Sequence, residues 1–395
     1  MDRAGGWRCA ALAAATAAAA AGLSGCALVS APTPGPDHLA SLAPPGAVGY
    51  VVCPDEVTPV ELTTRTAEPA IRLPLSGSPA LGDFAITTSP DGRWAYVVTG
   101  DGVGADGPAA AAAAATTTAG PGSTAVTGQN VVIPIDLVTQ QAGSPIRIPG
   151  RGATHAIVVI DGGRTVLAAS GNSIVPVDAS SHRVGTPLDL GPGRTVFGLT
   201  PDPGTSTVFA LVPGGVIPVD TAHATAAKEI PTFLSVSSVA SPHGMAVTGD
   251  GRTLYVVGQG GTDFGGRVLP ITVATGALGT MTGFDRYGIA DPAAVAVNPE
   301  GTELLVADGA NNWINPVSVA HFTDPAPPVR LEPRPRGNAP GTGHPTDIVF
   351  GPGRTGAFVV DGFDAVIPYQ PGAVSVGRPI PVCSGASSMV VAPAA

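Results

Sequence analysis

A short apolar run interrupted by a proline recurs seven times along the 395-residue chain. Copies include VIPIDL (132–137), VIPVDT (216–221) and VIPYQP (366–371). Successive prolines lie 42 to 52 residues apart, except for a first interval of 75 residues. A repeated unit of about 40 to 50 residues is typical of a ring of sheets, one sheet per unit. The seven prolines are Pro59, Pro134, Pro176, Pro218, Pro270, Pro316 and Pro368.

Six of these runs are preceded by two segments rich in Val, Ile, Leu and aromatic residues, joined by a tight turn. Examples are AITTSPDGRWAYVVT (85–99) and MAVTGDGRTLYVVG (245–258). This composition and turn chemistry predict β-hairpins. A hairpin, a proline strand and a short outer strand then form one four-stranded sheet. Because no segment beyond the N-terminal region has a useful helical period, the chain is predicted to be all-β.

The proline restricts how the third strand of each sheet can pair. Proline has no N–H to donate to a ladder, so a strand that carries it lacks a neighbour at that residue or is bulged there. We therefore expect the outermost strand of each blade to pair with the third strand only past the proline.

The two ends of the chain account for the missing seventh hairpin. GAVGYVVCPDEVTPVEL (46–62) supplies the second, third and fourth strands of a unit, and SSMVVAP (387–393) supplies a first strand with nothing after it. Joined, they complete a blade and remove the open sheet edges of the array. The sequence thus predicts a seven-bladed β-propeller over residues 47–395, closed by pairing of the N- and C-terminal strands in one blade.

The repeats resemble the YVTN-type β-propeller repeats common in actinobacterial secreted proteins. The resemblance rests on units such as VVIPIDLVTQQAGSPIRIPG (131–150) together with a Pro-Asp-Gly hairpin that ends in Tyr-Val-Val, and it covers residues 47–393. It implies a propeller and an exported protein. It implies no activity, because that family is defined by its scaffold and its members have unrelated functions.

The N-terminus predicts export and lipidation. Arg3 and Arg8 precede an alanine-rich apolar stretch (10–22) that is too short to span a membrane, followed by Leu23-Ser24-Gly25-Cys26. This ending resembles the lipobox, in which the signal peptide (1–25) is removed and the cysteine thiol receives diacylglycerol. Acyl chains on Cys26 would anchor the protein at the extracytoplasmic face of the cell membrane, and residues 26–46 would form a flexible tether. The alternative is ordinary cleavage and a secreted product.

Four cysteines are present in the chain. Cys9 would leave with the signal peptide and Cys26 would carry lipid, so that Cys53 and Cys383 remain for an oxidising compartment. Cys53 ends the second strand of the closing blade and Cys383 lies just before its first strand. Since antiparallel neighbours place these two points side by side, we predict a disulfide. The alternative is a pair of buried free thiols.

Composition and motifs exclude several functions. Charged residues make up 12% of the chain and the net charge is −10 without a basic stripe, which argues against binding to nucleic acid. Motifs for metal sites, phosphate loops and nucleophile elbows do not occur in a fitting context. We therefore predict no catalytic residue, no metal and no cofactor. The low-complexity segment 100–128 explains the long first interval and is predicted to be a disordered surface loop.

Two faces follow from the predicted blade. The first-to-second and third-to-fourth turns share one face, here called the hairpin face. The second-to-third turns and the connections between blades share the other, the loop face. Length variation falls mostly on the loop face, and variable loops on a rigid scaffold are where binding usually occurs. The variable segments are 100–128, 259–266, 279–292 and 333–345.

Four polar residues hold matching positions at the mouth of the predicted central channel, on the loop face. His155, His243 and His344 each immediately precede a first strand, and Asp291 has a comparable place. They could contact a polar ligand. The alternative is that they cap strands at a polar rim, a position that suits a neutral imidazole. A zinc site is disfavoured because its ligands must lie about 2 Å from the ion, and the histidines are two blades apart.

Two functions remain open. The preferred one is a monomeric, membrane-anchored binding module whose loop face takes a protein, a glycan or a small molecule outside the cell. The alternative is a propeller enzyme, a lactonase-like hydrolase or a dehydrogenase, with its site at the channel mouth. Convergent groups with shifted pKa values would favour the enzyme, and a neutral rim with exposed apolar loops would favour the binding module.

Overall fold

The computed structural model describes most of the chain from Ala43 to Ala392. The described ranges are 43–75, 84–100, 130–150, 156–235, 244–260, 265–283, 291–322, 327–331, 344–351 and 356–392, with the backbone alone at 334–336 and 339–341. The chain divides into a compact unit, Pro36–Ala395, and the segment Met1–Gly35. The predicted signal peptide, Cys26 and the predicted insertion beyond Gly100 lie outside the described residues.

The described residues form seven small antiparallel sheets in a ring, the arrangement of a seven-bladed β-propeller. The all-β prediction is confirmed, because the only helical segment in the described ranges is a single 3-10 turn at Asp161–Gly163. None of the described segments forms an apolar helix of bilayer-spanning length. From blade 1 to blade 7, the first strands are Ser388–Ala392, Phe84–Thr88, Ile157–Ile160, Gly198–Pro201, Met245–Val247, Pro292–Val297 and Pro345–Phe350.

The second and third strands complete the body of each blade. Strands of eight residues in blade 5 make its hairpin the longest among the described strands. In blade order, the second strands are Val48–Val52, Trp94–Gly100, Thr165–Ser170, Thr207–Val212, Thr253–Gly260, Glu303–Asp308 and Ala357–Asp361. The third strands are Glu56–Glu61, Asn130–Asp136, Ser173–Asp178, Gly215–Asp220, Gly265–Thr272, Trp313–Ser318 and Ala365–Tyr369.

Fourth strands are short in every blade. Four blades carry two pieces each: Thr66–Ala67 with Ile71–Arg72, Gln141–Ala142 with Ile146–Ile148, Thr225–Ala226 with Ile230–Pro231, and Ala277–Leu278 with Thr282–Gly283. Blades 3, 6 and 7 carry Leu188–Asp189, Val329–Arg330 and Ile380–Pro381. Outside this pattern, Leu234–Ser235 pairs with the end of the second strand of blade 5, and Arg334–Arg336 pairs with Ala339–Gly341.

The predicted pairing of the outer strand was wrong. In blade 2 the fourth strand pairs on both sides of Pro134, with Ile135 beyond it and with Val132 before it. In blades 6 and 7 the fourth strand pairs only with residues before the proline. The Pro134 carbonyl accepts the Gly143 N–H at 2.7 Å, and the missing proline N–H would point to the same outer side. The proline thus interrupts the ladder at one residue only, and the residues on both sides of it can still pair with the fourth strand.

Apolar side chains fill the spaces between blades. Each strand places alternate residues on its two faces, so both faces of each inner sheet are buried against a neighbouring blade. Seven clusters of buried apolar residues result, one between each pair of adjacent blades. Ala43 belongs to the cluster between blades 7 and 1, and the Pro44 carbonyl accepts the Ala47 N–H at 3.1 Å. The described part of the predicted tether (26–46) is residues 43–46, and the rest of the tether lies outside the described residues.

Closure of the ring agrees with the prediction. Ser388–Ala392 pairs with Val48–Val52 in continuous antiparallel register, from Val48 opposite Ala392 to Val52 opposite Ser388. The Cys53–Cys383 disulfide is present beside this pairing, and the Thr58 hydroxyl lies 3.1 Å from the Cys383 sulfur. Strand pairing and a covalent bond thus join the two ends of the propeller in one blade.

Candidate functional site

The structure describes two of the four predicted mouth residues. His344 immediately precedes the first strand of blade 7, and Asp291 immediately precedes that of blade 6. Both are half-buried. His155 and His243 lie outside the described residues, and so their place at the mouth stays a prediction.

Each of these two residues is fixed by an aspartate at the end of the second strand of its own blade. Asp308 Oδ1 lies 3.4 Å from the Asp291 backbone nitrogen and accepts the Ala310 N–H at 3.1 Å. Asp361 Oδ1 repeats this arrangement, accepting the His344 N–H at 3.2 Å and the Phe363 N–H at 3.2 Å. Each carboxylate thus satisfies backbone donors both at the entry to the first strand and in the turn that follows the second strand.

These aspartates are structural groups rather than mouth ligands. Asp308 is fully buried and Asp361 is 2% exposed. Burial raises the pKa of Asp308, while hydrogen bonds from Asn311 and from backbone N–H groups act in the opposite direction. The sequence analysis identified neither aspartate as a structural group. The available signal was the shared Asp-Gly pair at the end of an apolar strand, at 308–309 and 361–362.

Gly309 brings the two described mouth residues together. Its N–H donates to the Asp291 carbonyl at 2.9 Å, and its carbonyl lies 2.8 Å from His344 Nδ1. Since a carbonyl only accepts, Nδ1 carries the proton in this contact and a neutral His344 keeps Nε2 as an acceptor. The imidazole therefore ties blade 7 to blade 6 through Nδ1.

Asp291 has one polar atom that the described residues leave unsatisfied. Its Oδ1 is buried and has no hydrogen-bond partner within the described part of the chain. A buried acceptor of this kind usually receives a bond from protein or from ordered water. Asp291 Oδ1 is thus a buried acceptor at the mouth to which no described residue donates. Within the described residues, no group of three or more His, Cys, Asp and Glu side chains is placed to hold a metal ion.

Two side-chain contacts near the ring closure were also not predicted from the sequence. Asp347, in the first strand of blade 7, is fully buried, and its Oδ2 accepts the Met389 N–H of blade 1 at 2.9 Å. The Ser387 hydroxyl lies 3.4 Å from the Phe84 carbonyl of blade 2. Side-chain hydrogen bonds therefore connect the first strand of blade 1, with the residue that precedes it, to the first strands of blades 7 and 2. These contacts involve the first strands next to the channel and support the ring.

The channel itself holds a cavity of about 350 Å³ lined by the first strands of all seven blades. Thr87 and Thr200 provide the only hydroxyl groups among its described lining residues, and every other lining side chain is Ala, Val, Ile, Leu, Met, Pro or Phe. The described lining residues include no ionisable side chain. Acid–base or nucleophilic chemistry inside this cavity would therefore need groups from outside the described lining.

Comparison with known proteins supports the architecture. The fold is similar to the periplasmic gluconolactonase PpgL of Pseudomonas aeruginosa (TM-score 0.60, 14% identity, 88% of this chain and 99% of that chain). It is also similar to hydrazine synthase of Kuenenia stuttgartiensis (TM-score 0.60, 14% identity, 89% and 99%). A third similar structure is a functionally unknown protein from Desulfotomaculum acetoxidans (TM-score 0.58, 10% identity, 87% and 98%). No family model and no curated protein matches the sequence. At these identities the likeness defines one class, the seven-bladed β-propellers.

Proposed function

We propose that this protein is an extracytoplasmic, lipid-anchored β-propeller that acts as a binding module through its loop face. The observation that carries the proposal is the absence of ionisable side chains from the described lining of the channel. At the mouth, His344 is engaged with the Gly309 carbonyl and Asp291 with backbone groups of blade 6. The described residues thus offer a scaffold and a few hydrogen-bond acceptors, and no assembled catalytic group.

Three features support a location outside the cytoplasm. The Leu23-Ser24-Gly25-Cys26 segment has the order of a lipoprotein processing site. The Cys53–Cys383 disulfide suits an oxidising compartment. The repeats also resemble the YVTN type found in exported actinobacterial proteins. Together they favour a membrane-anchored product, with a secreted one as the alternative.

Phe233 supports the loop face as the binding surface. It lies in the connection from blade 4 to blade 5, has 76% of its surface exposed and adopts φ of +59°. An exposed aromatic side chain in a left-handed backbone conformation is unusual, and strained positions of this kind cluster at functional sites. The largest exposed apolar groups of the hairpin face, Val138 and Val374, lie in third-to-fourth-strand connections and provide a comparison.

Photo-crosslinking tests which face binds. A photoreactive amino acid is placed at Phe233 in one variant and at Val374 in another, each in the full chain expressed in its own cell envelope. We expect a discrete crosslinked species from position 233 and none from position 374. Equal crosslinking from both positions, or crosslinking from 374 alone, would overturn the assignment of the loop face.

Membrane anchoring has a separate test. Cys26→Ser should move the protein out of the lipid-labelled membrane fraction, because only a thiol can form the thioether to diacylglycerol. Cys9→Ser is the matched control, since Cys9 lies within the predicted signal peptide and should not affect labelling. Membrane retention and acyl labelling of the Cys26→Ser variant would contradict the lipid anchor.

A propeller hydrolase is the second candidate function, favoured by the buried Asp291 Oδ1, which has no partner among the described residues, and by the fold likeness to a gluconolactonase. If it is correct, gluconolactone hydrolysis should saturate with substrate and should fall in both Asp291→Asn and His344→Gln variants that keep the wild-type melting temperature. Under the binding-module proposal, hydrolysis stays at the buffer rate with and without added divalent cations.

A further inference from the structure

We propose that the central channel is a binding site for a neutral, mainly apolar small molecule. This inference goes beyond the proposed function, because it concerns the channel wall and not the loop face. The two sites are independent, and either can be correct without the other.

The size and the lining of the cavity fit a small ligand. A volume of about 350 Å³ falls within the range of about 300–1,000 Å³ found for ligand pockets. It is more than twice the volume of about 150 Å³ at which an apolar cavity binds benzene. Pockets for small molecules are typically lined by apolar side chains with a few polar groups that fix orientation, and this lining has that composition.

The same lining disfavours binding of a charged ligand. With no ionisable side chain among the described lining residues, a charged ligand would lose its hydration without gaining a counter-charge, and burial of an unpaired charge is strongly unfavourable. A neutral ligand avoids this loss. The selectivity predicted for the site is therefore for neutral over charged molecules of the same shape.

Polar contacts are available to a neutral ligand. In the described sheets, the first strand of each blade pairs with the second strand and has no strand on its inner side, so backbone N–H and C=O groups face the channel. Thr87 is half-buried and adds a hydroxyl group. The Thr200 hydroxyl lies 3.4 Å from the Met245 carbonyl and is partly engaged. A ligand with one or two neutral donor or acceptor groups would match this wall.

The apolar lining is reached by solvent at the hairpin face, away from the two described mouth residues, His344 and Asp291. Val247, Val297 and Phe350 are the last residues of their first strands, where the chain turns at the hairpin face, and each is half-buried. His344 and Asp291 precede the opposite ends of such strands. A ligand in the cavity would therefore contact a different set of residues from a ligand bound at His344 and Asp291.

Fluorescence titration of a matched probe pair tests the proposal. The protein is the chain beginning at residue 27, which lacks the predicted signal and lipid site and keeps the compact unit Pro36–Ala395. N-phenyl-1-naphthylamine is the neutral probe, and 1-anilinonaphthalene-8-sulfonate is an anion with the same ring system. We expect saturable binding of the neutral probe and affinity for the anion lower by about tenfold or more. No saturable binding, or equal affinity for both probes, would overturn the proposal.

Two variants test whether the neutral probe binds in the channel. Ala246→Leu and Ala296→Leu add volume at lining residues of blades 5 and 6 and should each weaken binding of the neutral probe by about fivefold or more. Ala226→Leu adds the same volume at an exposed site on the fourth strand of blade 4 and should leave binding unchanged. Unchanged binding in both folded channel variants would overturn the site. If neither variant folds, the comparison of the two probes on the wild-type chain decides.

Discussion

Cys53 and Cys383 are joined by a disulfide across 330 residues of sequence, with their Cα atoms 6.2 Å apart. The bond connects the end of the second strand of blade 1 to the segment that leads into its first strand. The blade that closes the ring is therefore held by a covalent link in addition to the backbone ladder between Val48–Val52 and Ser388–Ala392.

Removal of this disulfide should destabilise the propeller strongly. In the chain-entropy model, a bond that closes so long a loop stabilises the fold by about 4–5 kcal/mol or somewhat more. We expect the Cys53→Ala, Cys383→Ala double variant to melt well below the wild type, measured by circular dichroism on the chain beginning at residue 27. Reduction of the wild type with dithiothreitol should produce a similar decrease and should not affect the double variant. An unchanged melting temperature in both experiments would mean that the strand ladder alone closes the ring.

Asn315 occupies a position that is apolar in most of the other blades. It immediately precedes Pro316 on the third strand of blade 6 and is 1% exposed. Its Nδ2 donates to the Val306 carbonyl at 3.2 Å, and its Oδ1 is buried without a partner among the described residues. An unsatisfied buried acceptor destabilises a fold by about 1–3 kcal/mol. The equivalent residues of blades 2, 3, 4, 5 and 7 are Ile133, Val175, Ile217, Leu269 and Ile367.

Replacement of Asn315 by isoleucine should therefore stabilise the protein. We expect the free energy of unfolding to rise by about 1 kcal/mol, since the variant loses one hydrogen bond and removes one unsatisfied acceptor. The mirror variant Ile217→Asn places an amide at the same position of blade 4 and should destabilise the protein. Denaturant titration of both variants measures the two changes. A loss of stability in Asn315→Ile would show that the amide is needed between blades 5 and 6.

Much of this fold could be predicted from periodicity, because each proline run and each hairpin occurs at a regular interval. The disulfide was predictable for a related reason, since ring closure places Cys53 beside Cys383. The pairing around Pro134 could not be predicted. The sequence shows that proline lacks an N–H, but it does not show which neighbouring strand that N–H would have faced. Backbone geometry decides that question.

The candidate site was less predictable than the fold. His344 and Asp291 stood out as polar residues at matching points, and the structure joins both to Gly309. Asp347 was missed because a single aspartate within an apolar strand gives no indication of its partner, and the Met389 N–H that it accepts belongs to the next blade. The uncharged channel lining was also missed, since it appears only when seven first strands from distant parts of the chain are assembled.

Glu303 should make stability depend on pH in the opposite sense to most carboxylates. It is half-buried, and burial raises its pKa from the ordinary value of 4.5. The folded state thus holds this proton to higher pH than the unfolded state does. In consequence, the Glu303 contribution to stability falls as pH rises through 4.5 toward the higher folded pKa.

Glu303→Gln isolates this effect. The glutamine is neutral at every pH, so the stability gained by the variant over the wild type should be small in acid and should grow as pH rises above 4.5. Denaturant titration of both proteins at several pH values measures the difference. Burial, followed by the Glu303 charge, also raises the pKa of Tyr369 to about 12, so the variant should lower that tyrosine pKa in an alkaline absorbance titration. A stability difference that does not vary with pH would contradict the buried-carboxylate interpretation.

Gly309 should be replaceable only when His344 is absent. A Cβ atom at Gly309 would lie 2.7 Å from His344 Cε1 and 3.1 Å from its Nδ1, which is too close without movement of the ring. Gly309→Ala should therefore destabilise the contact between blades 6 and 7 by about 1–3 kcal/mol. In the His344→Ala background the clash is removed, and the same substitution should have a much smaller effect.

Gly362 provides the matched control for this double-mutant cycle. A Cβ atom there would lie 2.8 Å from Thr346 Cγ2 and 3.0 Å from the His344 backbone carbonyl. Gly362→Ala should therefore destabilise the protein equally with and without the imidazole, because His344→Ala leaves that carbonyl in place. Thermal denaturation of the wild type, the three single variants and the two double variants measures both coupling energies. Coupling between positions 309 and 344 with none between 362 and 344 would assign the destabilisation by Gly309→Ala to the imidazole itself. Equal coupling at both glycines would attribute that destabilisation to a general loosening of blade 7.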